Sequence, residues 1–265
     1  MAGFGHLFRN QASHYAAYRP TYPSELYEVI YSFAKLSSYD AALDIATGSG
    51  QAAAVLANKF QRVVAQDQST QQLEEAVRLP NIEYSHSRAE QTGLPDSSVD
   101  LVTVAQALHW FELPVFYKEV RRILRPKGAF AAWGYDLCEF KGNAAANAAL
   151  ESLYNGTLGP YWSERRRLIE NQYKGLEPGP EHFGEVKRVI LDTMTAEMSV
   201  TALIGYLSSW SAYATYREQH PDLPDPLIKF KEAYKAAYGF TSDGEKATLF
   251  WPLFVILAKD PEPLD

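Results

Sequence analysis

The chain has 265 residues, 46% hydrophobic and 13% aromatic, which is enough to bury one large core or a domain with a cap. Its net charge is −7, with no basic run longer than Arg165-Arg166-Arg167, and this argues against nucleic acid as the main partner. The single Cys138 excludes an internal disulfide framework and a cysteine-rich zinc site, so no metal is expected.

The chain opens without a basic stretch followed by an apolar core, and no apolar run reaches the ~20 residues of a membrane span. A soluble cytoplasmic protein with no membrane partner, monomer or homodimer, is the expectation. Phe8 to Pro23 carries Tyr15, Tyr18, Arg19, Tyr22 and two prolines, too irregular for a regular helix; it reads as a surface tail or a lid. Ser24–Phe33 reads as a helix capped by Ser24, with Leu26, Ile30 and Phe33 on one face.

Ala42–Gly50 is the segment around which the rest is arranged. Leu43 and Ile45 suit a buried strand, and Gly48 and Gly50 allow a tight turn and close approach to a ligand. Gln51–Ala57 then begins a helix whose first N–H groups face the turn, the strand–glycine loop–helix of a nucleotide-binding α/β fold. Asp44 ends the apolar strand, where a carboxylate is costly to bury without donors or a cation. Arg62–Asp67 is a second strand. Its Asp67 lies about 20 residues past the glycines, where such folds place the acid that takes ribose hydroxyls. An acidic N-cap for a helix over 71–79 is the alternative, and the interval after the glycine turn favours the ribose role.

Ile82–Ser85 is a short third strand. Val99–Ala105 is a fourth, with the near-continuous apolar run of a parallel strand buried on both faces. It delivers Gln106, Leu108, His109 and Trp110 to its carboxyl end, where open α/β sheets bind ligands. A helix over 115–124, a turn at Pro126-Lys127-Gly128 and a fifth strand over 129–135 follow, with Tyr135 again at a carboxyl end. Further on, 143–153 and 164–173 read as helices and 185–194 as a strand. Helices are read over 201–213 and 226–238, and a final strand over 248–258 in which Pro252 predicts an edge position or a bulge.

These residues resemble a known family. Leu43–Gly50 is similar to the first motif of class I S-adenosylmethionine-dependent methyltransferases, and Asp67 to their second-strand acid. Leu94-Pro95-Asp96 through Asp100-Leu101-Val102 resembles their fourth-strand signature, and Leu124–Gly128 the turn before strand five. A narrower likeness is to the trans-aconitate methyltransferase group. It rests on Tyr18–Pro23, Ala107–Phe111, Trp133-Gly134-Tyr135, Gly159–Trp162 and Trp210–Tyr213. Ala46 departs from the pattern, since most members have glycine there.

The resemblance implies an α/β fold: a Rossmann-like, mostly parallel seven-stranded sheet with an antiparallel last strand, helices on both faces and a helical cap. One domain over 1–265 is expected, with an N-terminal lid and helix (1–38), a cofactor-binding core (41–136), the cap (137–182) and the remaining strands and helices (183–265). It implies S-adenosylmethionine as cofactor, with Asp44, Ala46, Gly48 and Gly50 at the methionyl end and Asp67 on the ribose. Gln68, Ser87, Ala89 and Glu90 flank the adenine in this reading, and Gln106, Leu108 and His109 pass beneath the methionyl chain. Tyr18 and Arg19 come from the lid, Arg19 pairing with the cofactor carboxylate.

Methyl transfer from a sulfonium asks mainly for positioning and exclusion of water. Aromatic walls suit it, and Tyr15, Trp110, Tyr135, Tyr161, Trp162, Trp210 and Tyr213 are the candidates around the substrate, although 17 Tyr and 5 Trp must also supply the core. His109 has two readings, a general base or a group that holds the loop after the fourth strand. Arg165 and Arg166 offer a grip on a carboxylate, so the preferred acceptor is a carboxylate oxygen of a small acid, with hydroxyl, amine and thiol acceptors open. Two rival readings stand beside this one. Gly48–Ala53 also fits a dinucleotide fingerprint, which makes an NAD(P)-dependent oxidoreductase the alternative, and the same fold also serves catalytically silent binding modules.

Overall fold

In the computed structural model, which describes residues 20–262, the apolar run Ala41–Ile45 forms strand β1 and is buried along its whole length. The next elements are β2 (Arg62–Asp67), β3 (Ile82–His86), β4 (Val99–Ala105), β5 (Leu124–Tyr135) and β6 (Phe183–Leu191). With β9 (Leu253–Pro261) they make a seven-stranded sheet in the order β3-β2-β1-β4-β5-β9-β6. Pairs from β3 through β5 are parallel, and β9, last in the chain, runs antiparallel to β5 and β6. Side chains alternate between two cores. Leu43, Val102, Phe130 and Ile256 face α4 (Leu113–Ile123), while Ala42, Leu101, Ala131 and Val255 face α1 (Ser24–Ala34) and α2 (Gln51–Leu56). Covered on both faces, the central strands have no polar stripe to show.

The order in which successive strands are added to the sheet reverses between β1 and β4, which are themselves parallel. The turns that follow β1 and β4 therefore diverge and leave a crevice at the carboxyl ends of the strands. At the opposite end Asp100 holds the amino end of β4. It accepts from Ser38 Oγ (2.6 Å) and from the amides of Asp40 and Ala41, and it pairs with Arg125 (3.1 Å).

Several boundaries differ from expectation, each for a local reason. Ser24 lies inside α1 and does not cap it; Pro23 holds the cap position. The expected helix over 71–79 is only α3 (Thr70–Glu74), capped by Ser69, whose Oγ accepts from the Gln72 amide at 3.3 Å, so Asp67 is not its cap. Pro126-Lys127-Gly128 sits within β5 as a register shift against β4, with Lys127 at φ +64°. The run over 143–153 is α5 (Ala144–Glu151), capped by Asn143, followed by a wider helical turn over Ser152–Thr157. The helix over 164–173 shrinks to α6 (Arg166–Glu170), because Gln172 and Tyr173 adopt φ of +56° and +58°.

The expected helix over 201–213 is two helices, α7 (Val200–Ser208) and α8 (Ser211–Gln219), parted where Trp210 takes an extended backbone. α9 (Pro226–Tyr238) agrees with expectation. The stretch over 248–258 is not one strand. It breaks at Trp251-Pro252, where proline has no N–H to donate. The first part, β8 (Lys246–Phe250), pairs with β7 (Thr195–Ser199), a strand the pattern did not show; the second, β9, lies inside the sheet, and β6 is the edge. α9 packs on α5, and α8 packs on the short turn Gly159–Tyr161, so the cap is assembled from two separate stretches of chain. Among the described residues no helix is long and apolar enough to cross a membrane.

Candidate functional site

The β1–α2 turn is shaped by backbone. Ala46, Gly48 and Gly50 have φ of +53°, +57° and +82°, so the chain coils back on itself within five residues. Ala46 holds a left-handed conformation that costs an alanine roughly 1–2 kcal/mol, which is why glycine is the natural occupant. A Cβ on Gly50 would lie 2.2 Å from the Tyr84 hydroxyl, which itself donates to Val77 O at 2.6 Å. Among the described residues a Cβ on Gly48 would meet only Gln72 Oε1, at 3.8 Å, and that oxygen is a buried acceptor with no partner among them.

Two carboxylates flank the turn. Asp44 is 0% exposed and accepts from Thr47 Oγ1 (2.5 Å) and Thr103 Oγ1 (2.7 Å). Burial pushes its carboxyl up to about 6, against the pull of those two hydroxyls. Asp67 accepts from the Gly48 amide on one oxygen and the Ser69 amide on the other, both at 2.8 Å, and burial holds it above the ordinary carboxylate range.

Farther along the crevice, Gln68 is exposed and its carbonyl accepts from His86 Nε2 (3.1 Å). Ser87 Oγ donates to Gln91 O (2.7 Å), Ala89 is buried, and Glu90 accepts from the Glu112 amide (3.0 Å). Leu108 is wholly buried in the α4-side core. Gln106, at φ +54°, ties β4 to β5: its side-chain amide donates to Tyr135 O (3.1 Å) and accepts from Tyr135 N (3.0 Å). This leaves little of that amide for a ligand.

Beyond Gln106 a cavity opens between the ends of β4 and β5 and the cap. It gathers Trp110, Tyr135, Trp162, Arg166 and Trp210, all expected near substrate, together with Asp136 and Tyr206, which sequence reasoning passed over. Asp136 carried a usable signal, since it is an acid at the carboxyl end of a strand, as Asp44 and Asp67 are. Arg166 lies over the rings of Trp162 (4.9 Å) and Tyr154 (5.2 Å). Its Nε donates to the Tyr154 hydroxyl, which donates to Glu170 (2.7 Å); the guanidinium itself stands 3.9 Å from Glu170.

Arg165 points elsewhere, donating from Nη1 to His109 O at 2.7 Å. Tyr161 and Tyr213 also lie apart from this cavity's lining. Their hydroxyls meet His220 Nε2 (2.7 Å) and Asp225 Oδ2 (2.9 Å) within the cap. Tyr15, Tyr18 and Arg19 fall outside the described residues. His109 is buried, with Nδ1 2.9 Å from the Tyr173 hydroxyl and its ring 4.7 Å from that of Trp110. Burial, with Arg166 and Arg165 nearby, holds its imidazole down to about 3. A neutral, weakly basic ring suits a structural role better than proton abstraction.

Comparison with known proteins agrees with this geometry. A family model described as a methyltransferase domain matches residues 43–132, from β1 into β5. A Dictyostelium discoideum protein named as a methyltransferase is 38% identical over 262 residues, covering 97% of this chain and 95% of its own. A Saccharomyces cerevisiae protein named as an S-adenosylmethionine-dependent methyltransferase is 28% identical over 247 residues, with 81% and 84% covered. A solved structure from Anaeromyxobacter dehalogenans, named as a type II methyltransferase, superposes with a TM-score of 0.77 at 34% identity over 92% of this chain and 98% of that one. The dinucleotide-dehydrogenase reading is set aside. Likeness along nearly the whole chain, with the family model spanning β1 into β5, makes this protein a member of the class I S-adenosylmethionine-dependent methyltransferases, with S-adenosylmethionine as its methyl donor.

Proposed function

We propose that the protein methylates a carboxylate oxygen of a small acidic metabolite held in the cavity between the β4 and β5 ends and the cap. The observation that carries this reading is Arg166. Its guanidinium is held against two aromatic rings at the cavity wall, and its only ion pair among the described residues is the loose one with Glu170. A guanidinium fixed in that way is suited to grip a carboxylate with two parallel hydrogen bonds.

The β1–α2 turn supports the cofactor side. Among the described residues, the open face of Gly48 and the unpartnered Gln72 oxygen form a cradle with an acceptor waiting for donors. In this reading Asp44 serves the ammonium end, Asp67 the ribose hydroxyls, and Gln68, Ser87, Ala89 and Glu90 the adenine edge. The cofactor supplies an electrophilic methyl on a sulfonium; on transfer the S–CH3 bond breaks, an O–CH3 bond forms, and a neutral thioether and an ester remain. No proton has to leave a carboxylate acceptor, which suits a site whose histidine is a weak base. Trp110, Tyr135, Trp162 and Trp210 exclude water and fix the line of approach.

The test is calorimetric titration with S-adenosylmethionine and S-adenosylhomocysteine, then a screen of small acids, phenols and amines with product identification. Micromolar cofactor binding and methyl ester products are expected. Arg166→Ala is expected to lower kcat/KM on acids by roughly 10- to 100-fold, the worth of hydrogen bonds to a charged group. Unchanged kinetics on every acid, or methyl ether or amine products alone, overturns the reading.

A further inference from the structure

The cavity holds a second charged group that the reading above does not use. Asp136 follows directly on β5, its amide anchored to Pro252 O at 3.0 Å, and its Oδ1 accepts from the Leu137 amide at 2.7 Å. The other carboxyl oxygen has no hydrogen-bond partner among the described residues, and the residue lines the cavity. Arg166 lines the same cavity, yet the two make no ion pair within 4.0 Å. Opposite charges that share a half-buried space without closing on each other remain incompletely compensated. Such an arrangement is kept where a ligand completes it.

Resting on the acidic-acceptor reading, we propose that Asp136 is a specificity-determining residue. It accepts a hydrogen bond from a second, proton-carrying group of the acceptor while Arg166 holds a carboxylate. The acceptor class is then a carboxylic acid that also bears a hydroxyl or a protonated carboxyl group. Asp136 suits this task. Burial is the main influence on it and raises its carboxyl, Glu170 and Glu139 push the same way, and the Leu137 amide and Arg166 oppose them. A carboxylate made uncomfortable by burial gains from a donated hydrogen bond. Asp136 abstracts no proton in this scheme; the transfer chemistry is that of the carboxylate acceptor alone.

Matched acceptor pairs test it: malate against succinate and 3-hydroxybutyrate against butyrate for the hydroxyl, and succinate against its monomethyl ester between pH 4.5 and 7 for the protonated carboxyl. The wild-type enzyme is expected to prefer the donor-bearing member of at least one kind of pair by tenfold or more in kcat/KM. Asp136→Ala is expected to bring that ratio close to one, and Asp136→Asn, which keeps a carbonyl acceptor, to restore part of it. Arg166→Ala should lower both members of a pair together. Calorimetric binding of S-adenosylhomocysteine to each variant confirms that its fold is intact. Equal rates for all pairs in the wild type, or a preference that survives Asp136→Ala, overturn the inference alone. No methylation of any acid while S-adenosylhomocysteine still binds overturns the acidic-acceptor reading, and this inference with it.

Discussion

Asp44 shows what the site asks of a single residue. Its carboxyl is wholly buried and titrates near 6, above the ordinary 3.8 of the unfolded chain. Between those values the native chain holds a proton that the unfolded chain has lost. Stability from this group is therefore complete below about pH 4 and is lost as pH rises through 6. Asp44→Asn removes that dependence while Thr47 and Thr103 can still hydrogen-bond the amide. Urea unfolding should find the variant more stable than wild type at pH 8, by about 1–3 kcal/mol, with the gap closing toward pH 4. S-adenosylhomocysteine binding should weaken at least tenfold. Parallel pH–stability curves for the two proteins would rule out a destabilising buried charge. His109 works in the opposite direction. Depressed to about 3, it stays neutral while an unfolded histidine takes a proton, so its contribution is present above 6.5 and is lost as pH falls. Its imidazole NMR signals should not titrate between pH 8 and 5, and acceptor kinetics should show no limb at 6.5 from this residue. A midpoint near 6.5 would restore His109 as a candidate base.

At the scale of elements, the glycine turn owes its shape to backbone angles and to one neighbour. Gly50→Ala places a methyl 2.2 Å from the Tyr84 hydroxyl at a φ of +82°. The backbone penalty alone is roughly 1–2 kcal/mol, and the clash adds to it. A thermal midpoint lower by about 2–4 °C per kcal/mol is expected, with weaker S-adenosylhomocysteine binding. Tyr84→Phe in the same chain should recover the clash but not the φ cost; a Gly50→Ala protein as stable as wild type would show that the turn relaxes freely. This turn was legible in the sequence because β1, β2 and β4 are buried on both faces, and such strands are written as apolar runs that stop at polar strand ends. Other features were illegible for physical reasons. Trp251-Pro252 divides a continuous apolar run between two sheets, which no periodicity records. Trp210 breaks a pattern that still reads as one helix, because its side chain is buried in the same core as Leu203, Tyr206 and Leu207, whose spacing it continues. Tyr161 and Tyr213 carry the same aromatic signal as Trp162 and Trp210. Only tertiary packing turns their hydroxyls toward His220 and Asp225 and away from the cavity.

Across the whole molecule, the cavity that Arg166 and Asp136 line exists only because the cap is set in register with the sheet. Two of the hydrogen bonds that make that connection meet at one residue, beside one from Arg188 of β6 to Gln172 O. Tyr173 reaches His109 Nδ1 and Arg165 reaches His109 O, from either end of the stretch that carries Arg166. Tyr173 is held at φ +58° and packs against Phe254 of β9 (5.0 Å between ring centroids), so the latch is braced from the sheet as well. The glycine turn lies between β1 and α2, outside this connection. Loosening the latch should therefore separate the two binding functions. Tyr173→Phe removes the hydrogen bond to His109 and leaves the ring; at about 1 kcal/mol the acceptor KM should rise about fivefold, with S-adenosylhomocysteine affinity unchanged. Hydrogen exchange should quicken over residues 165–173 and stay constant in β1 and β4. Equal loss of cofactor and acceptor binding would mean that cap and turn move as one body. Unchanged exchange over 165–173 would mean that packing on Phe254, and not the His109 contact, holds Arg166 at the cavity wall.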